Sequence, residues 1–133
     1  MKPKILIVTA RYYKDFSKSL ELYAVSTLEV KKIKYKIIPV PGVFEIPVVI
    51  AKNVKKYDGF IALGCVIKGE TPHFEFISRS TISAIMHLSI TYKKPIGNGI
   101  ITCLNKKQAL DRSSIKNNKG QESAKAMLSL LEI

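Results

Sequence analysis

At 133 residues the chain is long enough to bury a real core, and its size suits one domain spanning 1–133. A composition that is 47% apolar and 24% charged excludes a disordered tail, and no apolar run reaches the ~18 residues of a membrane helix. The net charge of +12 raises nucleic acid as a partner. The charge is mostly lysine in scattered pairs such as Lys31-Lys32 and Lys106-Lys107, without interleaved aromatics, which reads as a solvated surface able to draw in anionic substrates.

Lys4 to Thr9 is a short, β-branched apolar run and is expected to be a buried strand. The apolar part of this run, Ile5 to Val8, is too short for a signal-peptide core, so a cytoplasmic location is expected. Arg11-Tyr12-Tyr13 is a loop. A helix follows from Ser17, its cap, to Lys32, with Leu20, Ala24, Leu28 and Lys31 on one face. Tyr35 to Val40 is a second strand and Pro41-Gly42 a turn. Pro47 suits the first turn of a helix whose face continues through Val48, Ala51 and Val54. Phe60 to Val66 is a third strand, and Phe74 to Tyr92 a long helix with Ile77, Thr81, Ala84, Ile85 and Leu88 on its apolar stripe. Ile96 to Leu104 is a fourth strand interrupted by Gly97-Asn98-Gly99. Asn105 caps a short helix through Arg112, and Gly120 to Leu130 is the last helix. The order β-α-β-α-β-α-β-α-α implies a parallel sheet covered on both faces, with ligands bound beyond the carboxyl ends of its strands.

The third strand runs into Gly64-Cys65-Val66-Ile67-Lys68-Gly69-Glu70-Thr71-Pro72-His73-Phe74. Free N–H groups at a helix start bind anions, and a histidine beside them can exchange protons near neutral pH. An anion seat beside a proton carrier points to chemistry on a phosphorylated small molecule. His73 is read either as this proton carrier or as a surface cap, and His87, in mid-helix, as structural. Glu45 either favours a helix N-terminus or accepts hydrogen bonds from a substrate ring. Tyr12 is core or a stacking platform, and Arg112 holds the last carbonyls of its helix or clamps a phosphate. Asn98 marks a bulge or close backbone approach, or belongs to a site. Cys65 and Cys103 have no ligand spacing and read as buried reduced thiols. There is no nucleophile elbow, Walker loop or dinucleotide-binding motif, and two histidines make metal catalysis improbable. General acid–base chemistry without a cofactor remains.

Taken together, Ala10-Arg11-Tyr12, Pro41-Gly42-Val43-Phe44-Glu45-Ile46-Pro47, Ala62 through Phe74, Pro95 to Gly99 and Asn118-Lys119-Gly120 resemble the lumazine synthase family of riboflavin biosynthesis. The Pro-Gly-x-Phe-Glu-Ile-Pro block with Gly-x-Thr-Pro-His-Phe at this separation carries the resemblance. It implies a flavodoxin-like three-layer α/β/α sandwich with a four-stranded parallel sheet. It also implies a transferase that condenses 5-amino-6-(D-ribitylamino)uracil with 3,4-dihydroxy-2-butanone 4-phosphate, without metal or organic cofactor. By that resemblance Tyr12 stacks on the pyrimidine, Val43, Phe44 and Glu45 line the ribityl and ring site, and Cys65, Val66 and Ile67 offer backbone groups to the ring. His73 transfers protons. Glu70, Thr71, Arg112 and Lys119 lie at the phosphate. Sites lie between subunits, with Asn98 and Arg112 from a neighbour.

The sequence departs from many relatives in carrying Asn98 in place of Phe, in placing the carboxylate of Glu70 at the phosphate loop, and in beginning close to its first strand. The five-fold closure of a homopentamer is implied by the resemblance alone, and the last feature leads to the expectation of that pentamer rather than a shell. The rival readings are a flavin- or pterin-binding module, a basic nucleic-acid binder and an archaeal-type riboflavin synthase; neither nucleic acid nor membrane is expected as a partner.

Overall fold

The computed structural model describes residues 2–133. Strand β1 (Lys4–Ala10) is buried from Ile5 onward, so both of its faces need cover. Helix α1 (Lys14–Val30) follows, then β2 (Lys34–Val40), a 3₁₀ turn at Val43–Glu45 and α2 (Ile46–Asn53). Strand β3 (Gly59–Ile67) leads to α3 (His73–Tyr92), β4 (Ile96–Cys103), α4 (Lys106–Arg112) and α5 (Lys119–Leu131). All pairings are parallel and the strand order is β2-β1-β3-β4.

The pleat divides the core in two. Ile5, Ile7, Ile61 and Leu63 face one side and pack with Leu20, Ala24 and Leu28 of α1, Ala109 of α4, and Ala124, Met127 and Leu128 of α5. Leu6, Val8, Phe60 and Ala62 face the other and pack with Ile46 and Ile50 of α2 and Ile85 of α3. Helices on both faces of a four-stranded parallel sheet make the expected α/β/α sandwich of the flavodoxin-like kind. Pro39 is tolerated because β2 is an edge strand, where a missing N–H breaks no ladder. No described helix is long and apolar enough to cross a membrane.

Several local expectations shift. Helix α1 begins at Lys14, three residues before Ser17, and Ser17 is buried with its hydroxyl bonded to the Lys14 carbonyl, so it is no cap. Lys31 is exposed and lies beyond the helix. In α2 the buried face is Ile46 and Ile50, while Val48 and Ala51 face outward. Strand β4 runs through Gly97-Asn98-Gly99 in unbroken register with β3, so Asn98 is no bulge. The glycines serve close packing instead: a Cβ on Gly97 would lie 2.2 Å from the Ser123 carbonyl oxygen of α5. Asn105 caps α4 as expected, its side chain accepting from the Gln108 N–H, and Asn118 caps α5 in the same way.

Candidate active site

Strand β1 lies between β2 and β3, and the chain leaving β1 turns to one face (α1) while the chain leaving β3 turns to the other (α3). A crevice opens beyond the carboxyl ends where these connections diverge. It encloses about 600 Å³ and is lined by Tyr12, Tyr13, Gly42, Val43, Phe44, Glu45, Cys65, Val66, Ile67, His73 and Ile77. That volume suits a ligand of small-metabolite size.

Strand register shapes one wall. Pairing of β1 with β3 ends at Thr9↔Leu63, whereas β3 runs on to Ile67, paired only with β4. Gly64 still lies against Ala10 at the end of β1, but from Cys65 to Ile67 the edge of β3 that faced β1 is uncovered, and alternate residues turn backbone N–H and C=O groups toward the crevice side. The Cys65 side chain is buried, which pushes its thiol up to about 12, with neighbouring Cys103 adding to the effect. A thiol held protonated is not a nucleophile at neutral pH, so Cys65 serves the crevice as wall and backbone.

Tyr12 is 75% exposed, which removes the core reading, and its ring stands at the rim edge-on to that of Tyr13, with centroids 5.0 Å apart at 81°. The Tyr13 phenol is raised by partial burial, with smaller contributions from Tyr12 and Cys65. Glu45 closes the 3₁₀ turn on itself: its carboxylate accepts the Gly42 N–H at 2.9 Å, and its own N–H donates to the Gly42 carbonyl at 3.2 Å. One carboxylate oxygen thus shapes the turn while the other stays available to a ligand. Val43 is buried beneath this turn and Phe44 is exposed beside it.

His73 is the first residue of α3 and is exposed; its backbone N–H donates to the Thr71 hydroxyl at 3.4 Å, so Thr71 engages one helix-start donor. The His73 ring has no hydrogen-bond partner among the described residues and faces an open crevice. Glu70 is exposed in the preceding loop. That loop stays tied to β4 by the Lys68 N–H, which donates to the Cys103 carbonyl at 2.8 Å.

The remaining candidates stand elsewhere in the subunit. Arg112 donates to the Thr102 carbonyl at 2.9 Å and touches Cys103 Sγ at 3.6 Å, which fixes its guanidinium at the carboxyl end of β4 rather than on its own helix. Asn98 is exposed opposite Ala62, three residues before Cys65 or ~10 Å back along the strand, with its side chain accepting the Ile100 N–H. Lys119 pairs with Glu122 at 2.9 Å on α5. Thus Tyr12, Val43, Phe44, Glu45, Cys65, Val66, Ile67 and His73 share one crevice, whereas Asn98, Glu70, Thr71, Arg112 and Lys119 do not line it.

Tyr13, Gly42 and Ile77 were missed as lining residues. Ile77 carried a usable signal, since it lies one turn beyond His73 on the same helix face. Tyr13 carried only its adjacency to Tyr12. A shallower groove between α3 and β4 holds Arg79, Met86, His87, Ile90 and Thr102, and His87 there contacts Thr91 at 3.4 Å. No metal-holding cluster occurs among the described residues.

The crevice offers a flat aromatic rim, an acceptor carboxylate, an unpaired strand edge and an imidazole at a helix start, which suits a planar amide-bearing ring that undergoes proton transfer. A family model described as 6,7-dimethyl-8-ribityllumazine synthase matches residues 2–133. Proteins of that name from Bartonella tribocorum and Bartonella henselae are 43% and 46% identical; each match spans 99% of this chain, and 90% and 88% of those proteins respectively. One from Agrobacterium fabrum is 41% identical over 99% of this chain and 95% of its own length.

Proposed function

Because the chain belongs to the 6,7-dimethyl-8-ribityllumazine synthase family, we propose that its crevice beyond β1, β2 and β3 is the place of that reaction. The chain is a transferase that condenses 5-amino-6-(D-ribitylamino)uracil with 3,4-dihydroxy-2-butanone 4-phosphate, the penultimate step of riboflavin biosynthesis. The observation that carries the site is the meeting of His73 with Tyr12, Glu45 and the uncovered edge of β3 in one crevice.

The ring amine attacks the ketone and water leaves as an imine forms. A proton then leaves carbon as inorganic phosphate departs. The second amine closes the ring and another water is lost. Each step moves protons and none moves electrons to an acceptor, so one imidazole, that of His73, suffices as shuttle. Tyr12 stacks on the pyrimidine, while the β3 edge at Cys65, Val66 and Ile67 meets its polar edge. Val43, Phe44 and Glu45 line the ribityl side. Thr71 and the backbone beside Glu70 hold the phosphate, with Arg112 and Lys119 as counter-charge that favours its departure. Holding two reactants together supplies a further large share of the rate.

In this reading Asn98 and Arg112 act in the site of a neighbouring subunit of a homopentamer. The placement of Asn98 ~10 Å from its own crevice supports a shared site. So do Phe76, Met86 and Ile90, large apolar residues of α3 that are more than half exposed in one subunit. We also propose that the enzyme works in the cytoplasm, in keeping with small, polar, phosphorylated substrates.

Purified protein given both substrates should raise lumazine absorbance and release phosphate faster than the same mixture without protein. Equal rates would remove the catalytic reading, and riboflavin formed from lumazine alone would favour a riboflavin synthase instead. Light scattering on active protein should give a mass near five chains. A mass near one chain would sink the shared site.

A further inference from the structure

We propose that Tyr13 is a positioning residue: its ring holds that of Tyr12 in the orientation that receives the pyrimidine. The inference rests on the reading of Tyr12 as the stacking platform. Tyr12 is 75% exposed, and its hydroxyl has no hydrogen-bond partner among the described residues, so nothing polar fixes its ring. The ring's aromatic neighbour is Tyr13, met edge-to-face at 5.0 Å and 81°, within the favoured range for such pairs.

Tyr13 is anchored where Tyr12 is not. It is only partly exposed, packs on the core cluster beneath α1, and leans on Phe16 at 6.3 Å. Its carbonyl accepts the Ser17 N–H at 3.0 Å as the residue preceding α1, so its backbone is fixed by a 17-residue helix. Rigidity therefore passes from the core through Phe16 and Tyr13 to a ring that would otherwise sample several rotamers at the rim. A ring ordered in advance loses less freedom when a ligand stacks on it. Burial also raises the Tyr13 phenol, so the supporting ring stays neutral over the working pH range.

The test is pyrimidine affinity, titrated with the butanone phosphate omitted, in Tyr13→Leu, Tyr13→Phe, Tyr12→Leu and the Tyr12→Leu/Tyr13→Leu double variant. Tyr13→Leu should weaken pyrimidine binding about 3- to 10-fold while changing kcat at saturation and phosphate affinity less than about twofold. Tyr13→Phe keeps the ring and should bind within about twofold of the parent. In the Tyr12→Leu background the added Tyr13→Leu change should cost nothing more, because the ring it positions is gone. Equal losses in Tyr13→Phe and Tyr13→Leu would overturn the proposal in favour of a hydroxyl contact to substrate. An undiminished Tyr13→Leu effect in the Tyr12→Leu background would overturn it as well. Full pyrimidine affinity in Tyr12→Leu would instead remove the platform, and the positioning role with it. If Tyr13→Leu fails to fold, Tyr13→Met carries the same comparison.

Discussion

Gly64 lies where β3, the end of β1 and the 3₁₀ turn converge under the crevice. A Cβ there would sit 2.7 Å from Val43 Cγ1 and 3.0 Å from Ala10 Cβ, against the ~3.5–4.0 Å that carbon pairs prefer. Gly64→Ala therefore needs about 1 Å of relief from two buried neighbours, and such overpacking costs about 1–3 kcal/mol. Gly64 does not have a positive φ, so alanine meets no backbone objection and regains about 0.4–1 kcal/mol by restricting the unfolded chain. The net loss is about 0.5–2 kcal/mol. For 133 residues the unfolding entropy is roughly 0.3 kcal/mol per degree, so Tm should fall by about 2–7 °C. Val43 should also move toward the crevice and weaken pyrimidine binding. Gly69→Ala is the control: nothing lies within 4 Å of its added Cβ, so its Tm should hold or rise slightly. Both are read by thermal scans at one protein concentration, since assembly makes Tm concentration-dependent. A Gly64→Ala protein melting at or above the parent would refute the reasoning that Val43 is wedged against β3.

Three further outcomes are expected. His73→Ala should lower kcat ~10²–10⁴-fold with little change in pyrimidine affinity, and steady-state kinetics that retain the parent kcat would take His73 out of the mechanism. Arg112→Ala should weaken phosphate binding by about 1.5–3 kcal/mol and leave the pyrimidine largely alone, with Arg112→Lys a partial rescue because a fork becomes a point charge; separate titrations check it. Cys65 holds its proton more tightly folded than unfolded, so its contribution to stability is intact below pH 9.0 and is lost as pH rises from there toward about 12. Denaturant midpoints of the parent and of Cys65→Ala should therefore converge over that window, and parallel curves would contradict the burial argument.

Strands β1 and β3 were legible as continuous apolar runs because helices cover both of their faces. The face of α2 was not, because Ile-Pro-Val-Val-Ile-Ala is apolar all round and offers no polar side to orient it. The start of α1 carried no side-chain cap and hence no signal at Lys14. Half of the crevice followed from the rule that ligands sit beyond strand ends, which singled out Tyr12, Glu45 and His73. The overhang of β3 past β1 could not be read, since register is not written in either strand alone. Asn98, Arg112 and Lys119 do not line the crevice, and the sequence tied them to a site only through the family resemblance, not through their own spacing.

That overhang sets how the site tolerates sequence drift. Donors and acceptors on the open edge of Cys65 to Ile67 belong to the main chain, so replacing the side chains of Cys65, Val66 or Ile67 leaves those groups chemically unchanged. Only proline deletes a donor outright. The vulnerable property is instead how far β1 pairs: extending the β1–β3 ladder by two residues would occupy the edge internally and abolish the recognition role proposed for it, with every side chain of the crevice still present.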